Sequence, residues 1–158
     1  MNTDEYFMRK ALAEAKKAAS AGEVPVGAVV VTSGKIIGRG RNEAIERSDP
    51  TAHAEIIAIR SACLKEQNYR LPDCDLYVTL EPCAMCLGAA VQARIQRIIY
   101  GTPDPKAGAV ESTMKFPFEK MNHKPGIKSG ILASECGMIL KSFFKKKRKR
   151  TAERWPSG

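Results

Sequence analysis

The chain has 158 residues, 44% of them hydrophobic and 27% charged, with a formal net charge of +9. That is length for one domain with a real core and a composition ordinary for a globular protein. Its opening residues, Met1-Asn2-Thr3-Asp4-Glu5, are acidic with no apolar run behind them. Neither a signal peptide nor a spanning helix is expected, and a cytoplasmic protein is the default.

From Asp4 to about Ala21, Phe7, Met8, Ala11, Leu12, Ala15 and Ala18 recur at three-and-four spacing between Thr3 and Gly22. This predicts an amphipathic helix with Thr3 as its cap and Gly22 as its stop. Val24 to Thr32 is a nearly continuous β-branched run, and Ile36 to about Asn42 resumes it after Ser33-Gly34-Lys35. The pair reads as a hairpin whose first strand, apolar on both faces, belongs inside the sheet. A polar loop, Glu43 to Pro50, leads into a helix over about Ala52 to Glu66, with Ile56, Ile59, Ala62 and Cys63 facing inward. Next come a strand, Leu76 to Leu80, a helix opening at Pro82 with Leu87, Ala90 and Val91 on its core face, and a strand, Arg97 to Gly101. Strand and helix alternate as in an α/β fold.

Thr102 to Gly126 mixes Gly, Pro and charge. A connection of that length usually carries function, and a short helix is expected near Ser112 to Lys115. Ile127 to Leu132 predicts a last strand, and Ser134 a cap for a final helix with Met138, Ile139, Phe143 and Phe144 inward. That helix is expected to fray into a basic tail, with residues 155–158 disordered. The organisation is therefore one domain over residues 1–144 and a basic tail over 145–158. Between Lys141 and Arg154 eight basic residues face one Glu153, so most of the excess charge sits at one end. A field concentrated in that way suits docking of a polyanion.

Two short runs carry the chemistry: Thr51-Ala52-His53-Ala54-Glu55 and Glu81-Pro82-Cys83-Ala84-Met85-Cys86. Cysteines three apart at a helix start place both sulfurs on one side of the first turn, roughly 60° apart. Pro82 suits a first helical position, and a helix N-terminus favours thiolates. With His53 they make a three-ligand zinc set whose fourth tetrahedral position is open, which favours catalysis over structure. Glu55 is then a carboxylate placed to shuttle the proton of a metal-activated water. His53 and Glu55 point about 200° apart on a regular helix, so both face one ion only if it lies off the helix end. A structural zinc knuckle and two buried thiols beside an imidazole are the plainer alternatives. Glu81 competes with Glu55 for the catalytic role but reads better as a backbone-binding neighbour. Cys63, Cys74 and Cys136 remain as small, reduced, buried hydrophobes.

H-x-E followed by P-C-x-x-C is the signature of zinc-dependent nucleobase deaminases. Adding Glu23-Val24-Pro25-Val26-Gly27-Ala28, Arg41-Asn42, Thr79-Leu80, Met121-Asn122-His123 and Phe143-Phe144, the chain resembles, almost end to end, the bacterial tRNA adenosine deaminases of the cytidine-deaminase superfamily. The resemblance implies a three-layer α/β/α fold on a five-stranded mixed sheet, and a homodimer with its sites near the subunit interface. It also implies hydrolytic conversion of the wobble adenosine of an arginine tRNA to inosine, with the anticodon stem-loop as partner. By position, His53, Cys83 and Cys86 would hold one Zn2+ per subunit and Glu55 would move the proton. Asn42, Val26 and Ala54 would line the base pocket, and Asp104 would approach the ribose, whose 2′-OH a carboxylate can accept. His123 takes no role. A free-base or nucleoside deaminase of guanine or cytosine type would use the same zinc and Glu55, but has no need of a polybasic tail.

Overall fold

The computed structural model describes residues 2–154, with side chains described through Lys149. Its elements are α1 (Thr3–Ser20), β1 (Gly27–Thr32), β2 (Lys35–Arg41), α2 (Ala44–Arg47), α3 (Ala54–Glu66), β3 (Asp75–Leu80), α4 (Ala84–Gln92), β4 (Arg97–Thr102), β5 (Gly126–Lys128) and α5 (Ala133–Arg154). The sheet runs β2-β1-β3-β4-β5. β1 is antiparallel to both of its neighbours, whereas β3, β4 and β5 are parallel, so the sheet is mixed. Two cores flank it. Ala28 and Val30 of β1 pack in one with residues of α3 and α4, while Val29 and Val31 pack in the other with Phe7, Met8, Ala11 and Cys136 of α1 and α5. The run of valines follows from this, because a strand covered on both faces cannot alternate with polar residues. Among the described residues, no helix is long and apolar enough to cross a membrane.

Helix α3 lies unusually close to the sheet. Ala54, Ala58 and Ala62, four apart, are fully buried, and they oppose Gly38 and Gly40 of β2. A Cβ at Gly40 would overlap the Ala54 carbonyl, and one at Gly38 the Ala58 carbonyl. Small residues on both sides thus set the height and axial position of α3, and with them the place of His53 just before it. This corrects the inward face expected from the sequence: Ala58 belongs to it, and Ile56 is only half-buried.

The N-terminus of α1 is tied across the sheet. Asp4 accepts hydrogen bonds from Tyr77 Oη (2.6 Å), Arg97 (3.2 Å) and Lys128 (2.6 Å), which joins α1 to β3, β4 and β5. Burial alone would raise the Asp4 carboxyl, but these donors outweigh it and hold it at about 2.

Several local expectations are corrected. Asn2, not Thr3, caps α1, its Oδ1 accepting the Asp4 N–H at 2.8 Å. Val24 to Val26 precede β1 as a tight turn, with Val26 N–H on Val24 O, because Pro25 has no N–H to give a ladder. Residues 44–47 form the short helix α2, too brief to show a period; the buried Glu23 carboxylate accepts the Ile45 and Glu46 N–H groups at its start. Helix α3 begins at Ala54 rather than Ala52, since Asp49 folds 49–51 into its own turn through Thr51 N–H and Oγ1. Pro82 lies before the cap of α4 and not in its first turn. Residues 112–115 are not helical; a single 3-10 turn forms at Phe118–Lys120. The last strand ends at Lys128, where left-handed Gly130 and Leu132 turn the chain into α5. On α5, Met138 is 67% exposed and Cys136 takes the buried position expected of it. The helix is described through Arg154, so the compositional change at 144–145 falls within it. The expected disorder of residues 155–158 lies outside the described residues.

Candidate active site

His53 is the N-cap of α3 and Cys83 the N-cap of α4, both with extended backbone and neither using its side chain to cap its own helix. The two side chains are therefore free to point off the helix ends, toward each other. His53 Nδ1 lies 3.6 Å from Cys83 Sγ and 3.6 Å from Cys86 Sγ. The three donor atoms all fall within 4.8 Å of one another, a His/Cys/Cys cluster compatible with a metal site.

Glu55 is the second residue of α3 and 4% exposed. It faces the same cluster, its carboxyl interacting with Cys83, His53 and Cys86. The helix-end geometry that lets His53 and Glu55 share one point is therefore present. Burial pushes the Glu55 carboxyl up to about 7. The hydrogen bond from Cys86, with help from His53, brings the Cys83 thiol down to about 4. Cys86, donating that bond and buried, is held up, while its thiolate neighbour Cys83 raises His53. Two helix N-termini converging here favour negative charge on the sulfurs.

Asn42 closes the near side. Its Oδ1 accepts the Ala54 N–H at 2.9 Å, supplying the cap that His53 does not, and its own N–H donates to Val26 O at 3.2 Å. Asn42, Val26 and Ala54 are thus joined to each other directly beside His53. Val26 and Ala54 are buried in the α3/α4 core.

A family model described as MafB19-like deaminase matches residues 1–148. A tRNA-specific adenosine deaminase of Haemophilus influenzae is 52% identical over 92% of this chain and 85% of its own, and one of Agrobacterium fabrum is 50% identical over 90% and 95%. The chain belongs to the tRNA-specific adenosine deaminases. A solved structure from a study of A-to-I editing by tRNA:A34 deaminases at the wobble position is similar at TM-score 0.82 and 50% identity, covering 85% of this chain and 99% of that one. Its likeness agrees with the cytidine-deaminase-like five-stranded mixed sheet seen here.

Within this deaminase fold the other expected residues separate. Asp104 lies on the loop after β4, and its Oδ1 accepts the Lys106 and Ala107 N–H groups of its own turn. Glu81 is the backbone-binding neighbour expected: it accepts N–H groups of Asp104, Val110, Glu111 and Ser112 and takes no place in the His/Cys/Cys cluster. His123, expected on the surface, is half-buried and meets Ile95 O at 2.6 Å. Sequence reading missed the Asn42 cap and the Gly38/Gly40 seat of α3. The spacing of Gly38-Arg39-Gly40 ahead of Ala54, Ala58 and Ala62 was the available signal for the second.

Proposed function

We propose that this protein hydrolyses the wobble adenosine of a tRNA anticodon, in an arginine tRNA, to inosine and ammonia, with one zinc ion per subunit. The observation that carries the reading is the single imidazole nitrogen equidistant from two cysteine sulfurs, with a buried carboxylate at the same helix start. Zn–N of about 2.0–2.1 Å and Zn–S of about 2.3 Å at a tetrahedral angle require N···S of about 3.5 Å. The 3.6 Å separations fit.

His53, Cys83 and Cys86 would hold the ion, leaving one position for water. Zinc bound there supplies a Lewis acid that brings the pKa of water toward neutrality. Glu55 accepts a proton from the attacking water and passes it to the adenine ring nitrogen N1 as the C6–O bond forms. It then moves the second proton to the exocyclic amine, the C6–N bond breaks, and ammonia leaves. A carboxyl raised by burial suits both directions of transfer. Asn42, with Oδ1 held by Ala54, presents its Nδ2 to the base edge, Val26 and Ala54 back that pocket from within the core, and Asp104 accepts from the ribose 2′-OH.

Relatives named for tRNA at 52% and 50% identity support a nucleic-acid substrate over a free base. So does the basic stretch of α5, whose Lys146 and Lys147 border a groove with Lys16 of α1 and offer positive charge to a phosphate backbone. The protein acts as a cytoplasmic homodimer, and residues 145–158 form a basic extension of the catalytic domain 1–144. The test is Glu55→Ala assayed on an anticodon stem-loop beside guanine, cytosine, cytidine and adenosine. Wild type should form inosine from the hairpin only, and the variant should keep its zinc and lose about 10²- to 10⁴-fold in kcat. Turnover retained by the variant refutes the role of Glu55, and turnover of guanine or cytosine refutes the substrate.

A further inference from the structure

The loop after β4 is gathered onto one carboxylate. Glu81 follows β3, two residues before Cys83, and is 2% exposed. Its Oε2 accepts the N–H groups of Val110 (3.0 Å), Glu111 (2.9 Å) and Ser112 (3.1 Å). Its Oε1 accepts the Asp104 N–H at 3.0 Å and the Ser112 hydroxyl. The loop is also fastened to the residue beside Cys83, because Ala109 N–H donates to Pro82 O at 2.9 Å. Gly108 lies so close that a Cβ there would overlap the Glu81 carboxyl. Farther along, Tyr100 Oη donates to Glu111.

Backbone N–H groups aimed at an ionised carboxylate make stronger hydrogen bonds than neutral pairs do. A segment of this length in a turn-rich loop would otherwise sample many conformations and lose that freedom only on binding. Here the ordering is done in advance, and the anchor is covalently next to the metal-bearing end of α4. We propose that Glu81 is a positioning residue for the substrate, holding residues 104–112 as a fixed wall beside the cluster and so placing Asp104. This rests on the proposed function, since Asp104 matters only if a ribose is bound. Glu81 itself takes no place in the His/Cys/Cys cluster.

Glu81→Gln keeps the shape and removes acceptors: whichever way the amide lies, its NH2 meets N–H donors. KM for an anticodon stem-loop should rise at least tenfold, with kcat within about threefold of wild type and zinc per chain unchanged. Gly108→Ala disturbs the same contact from the loop side, pressing on the Glu81 carboxyl and on the Asp104 carbonyl without altering the carboxylate itself, and should give the same split. Glu81→Asp, which keeps the charge on a shorter arm, should recover part of the KM. An unchanged KM in both Glu81→Gln and Gly108→Ala overturns the inference. So does zinc loss paralleling activity loss in Glu81→Gln with Gly108→Ala like wild type, for then the carboxylate acts on α4. If Glu81→Gln does not fold, Gly108→Ala decides. If wild type makes no inosine, the functional reading fails separately, and amide exchange at 110–112 reads the anchor: slow in wild type, fast in the variants, with equal rates overturning it.

Discussion

Gly40→Ala should part His53 from its two cysteines without altering any of the three. An added Cβ would sit 2.6 Å from Ala58 N and 3.1 Å from Ile57 Cβ, besides overlapping the Ala54 carbonyl. Comfortable contact begins at about 3.5 Å, so α3 must retreat from β2 by roughly 1 Å. Overpacking of this kind costs about 1–3 kcal/mol. At about 2–4 °C per kcal/mol for a chain of this size, Tm should fall by about 2–12 °C. The functional loss should be larger in proportion. His53 moves with the start of α3, and metal sites tolerate departures of only about 0.2 Å from ideal bond lengths. Metal affinity should fall at least tenfold, and kcat/KM about 10²-fold, the usual penalty for a 1 Å misplacement. Competition with a chromophoric chelator measures the first and inosine formation on a stem-loop the second. Ser61→Ala, on the exposed side of α3, is the control and should change neither. A lowered Tm with wild-type metal affinity and turnover would refute the idea that the glycine seat positions His53.

Asp4 makes stability depend on pH at the acid end. Its folded pKa, about 2, lies below the ordinary 3.8, so its contribution is full above about pH 4 and is lost as pH falls through 2. The shift corresponds to about 2.4 kcal/mol, which screening at the partly exposed Arg97 and Lys128 reduces to about 1–2 kcal/mol. Urea unfolding of Asp4→Asn should show that deficit at pH 7 and converge on wild type toward pH 2. After the metal is stripped, Cys83 should be alkylated by iodoacetamide even at pH 6, because its thiol is brought down to about 4, while Cys86 stays slow. Bound metal should protect both, as peptide mapping would read. Deleting Lys145 to Arg150 should weaken stem-loop binding and flatten its dependence on salt, each lost phosphate contact removing about 0.7–0.9 from the slope of log K against log salt. Unchanged binding would make this stretch of α5 merely a charged end.

The order of strands and helices, the interior place of β1 and the motif residues His53, Glu55, Cys83 and Cys86 were legible because each rests on a local signal. Period, β-branching and ligand chemistry are properties of a few adjacent residues. Helix starts were less legible. Asn42 caps α3 from twelve residues away, and Asp49 diverts the chain before it, so the boundary predicted at Ala52 falls at Ala54. The 112–115 helix failed for a related reason. The Ser112 N–H is committed to the Glu81 carboxylate and the Thr113 N–H to Gly108 O, so the chain is folded onto the loop instead of into a helix.

By itself the chain's order of residues determined which donors are present, a nitrogen and two sulfurs with an acid two places on, and that they stand at two helix starts. Whether those starts meet was decided only in three dimensions. β1 and β3 pair antiparallel, β2 on the other side of β1 offers two bare backbones at Gly38 and Gly40, and the alanine face of α3 settles there, bringing residue 53 within 3.6 Å of residues thirty and thirty-three places later. The physical reason is that ligand identity is a property of single side chains, while ligand distance depends on packing between elements far apart in sequence. No local pattern encodes that packing.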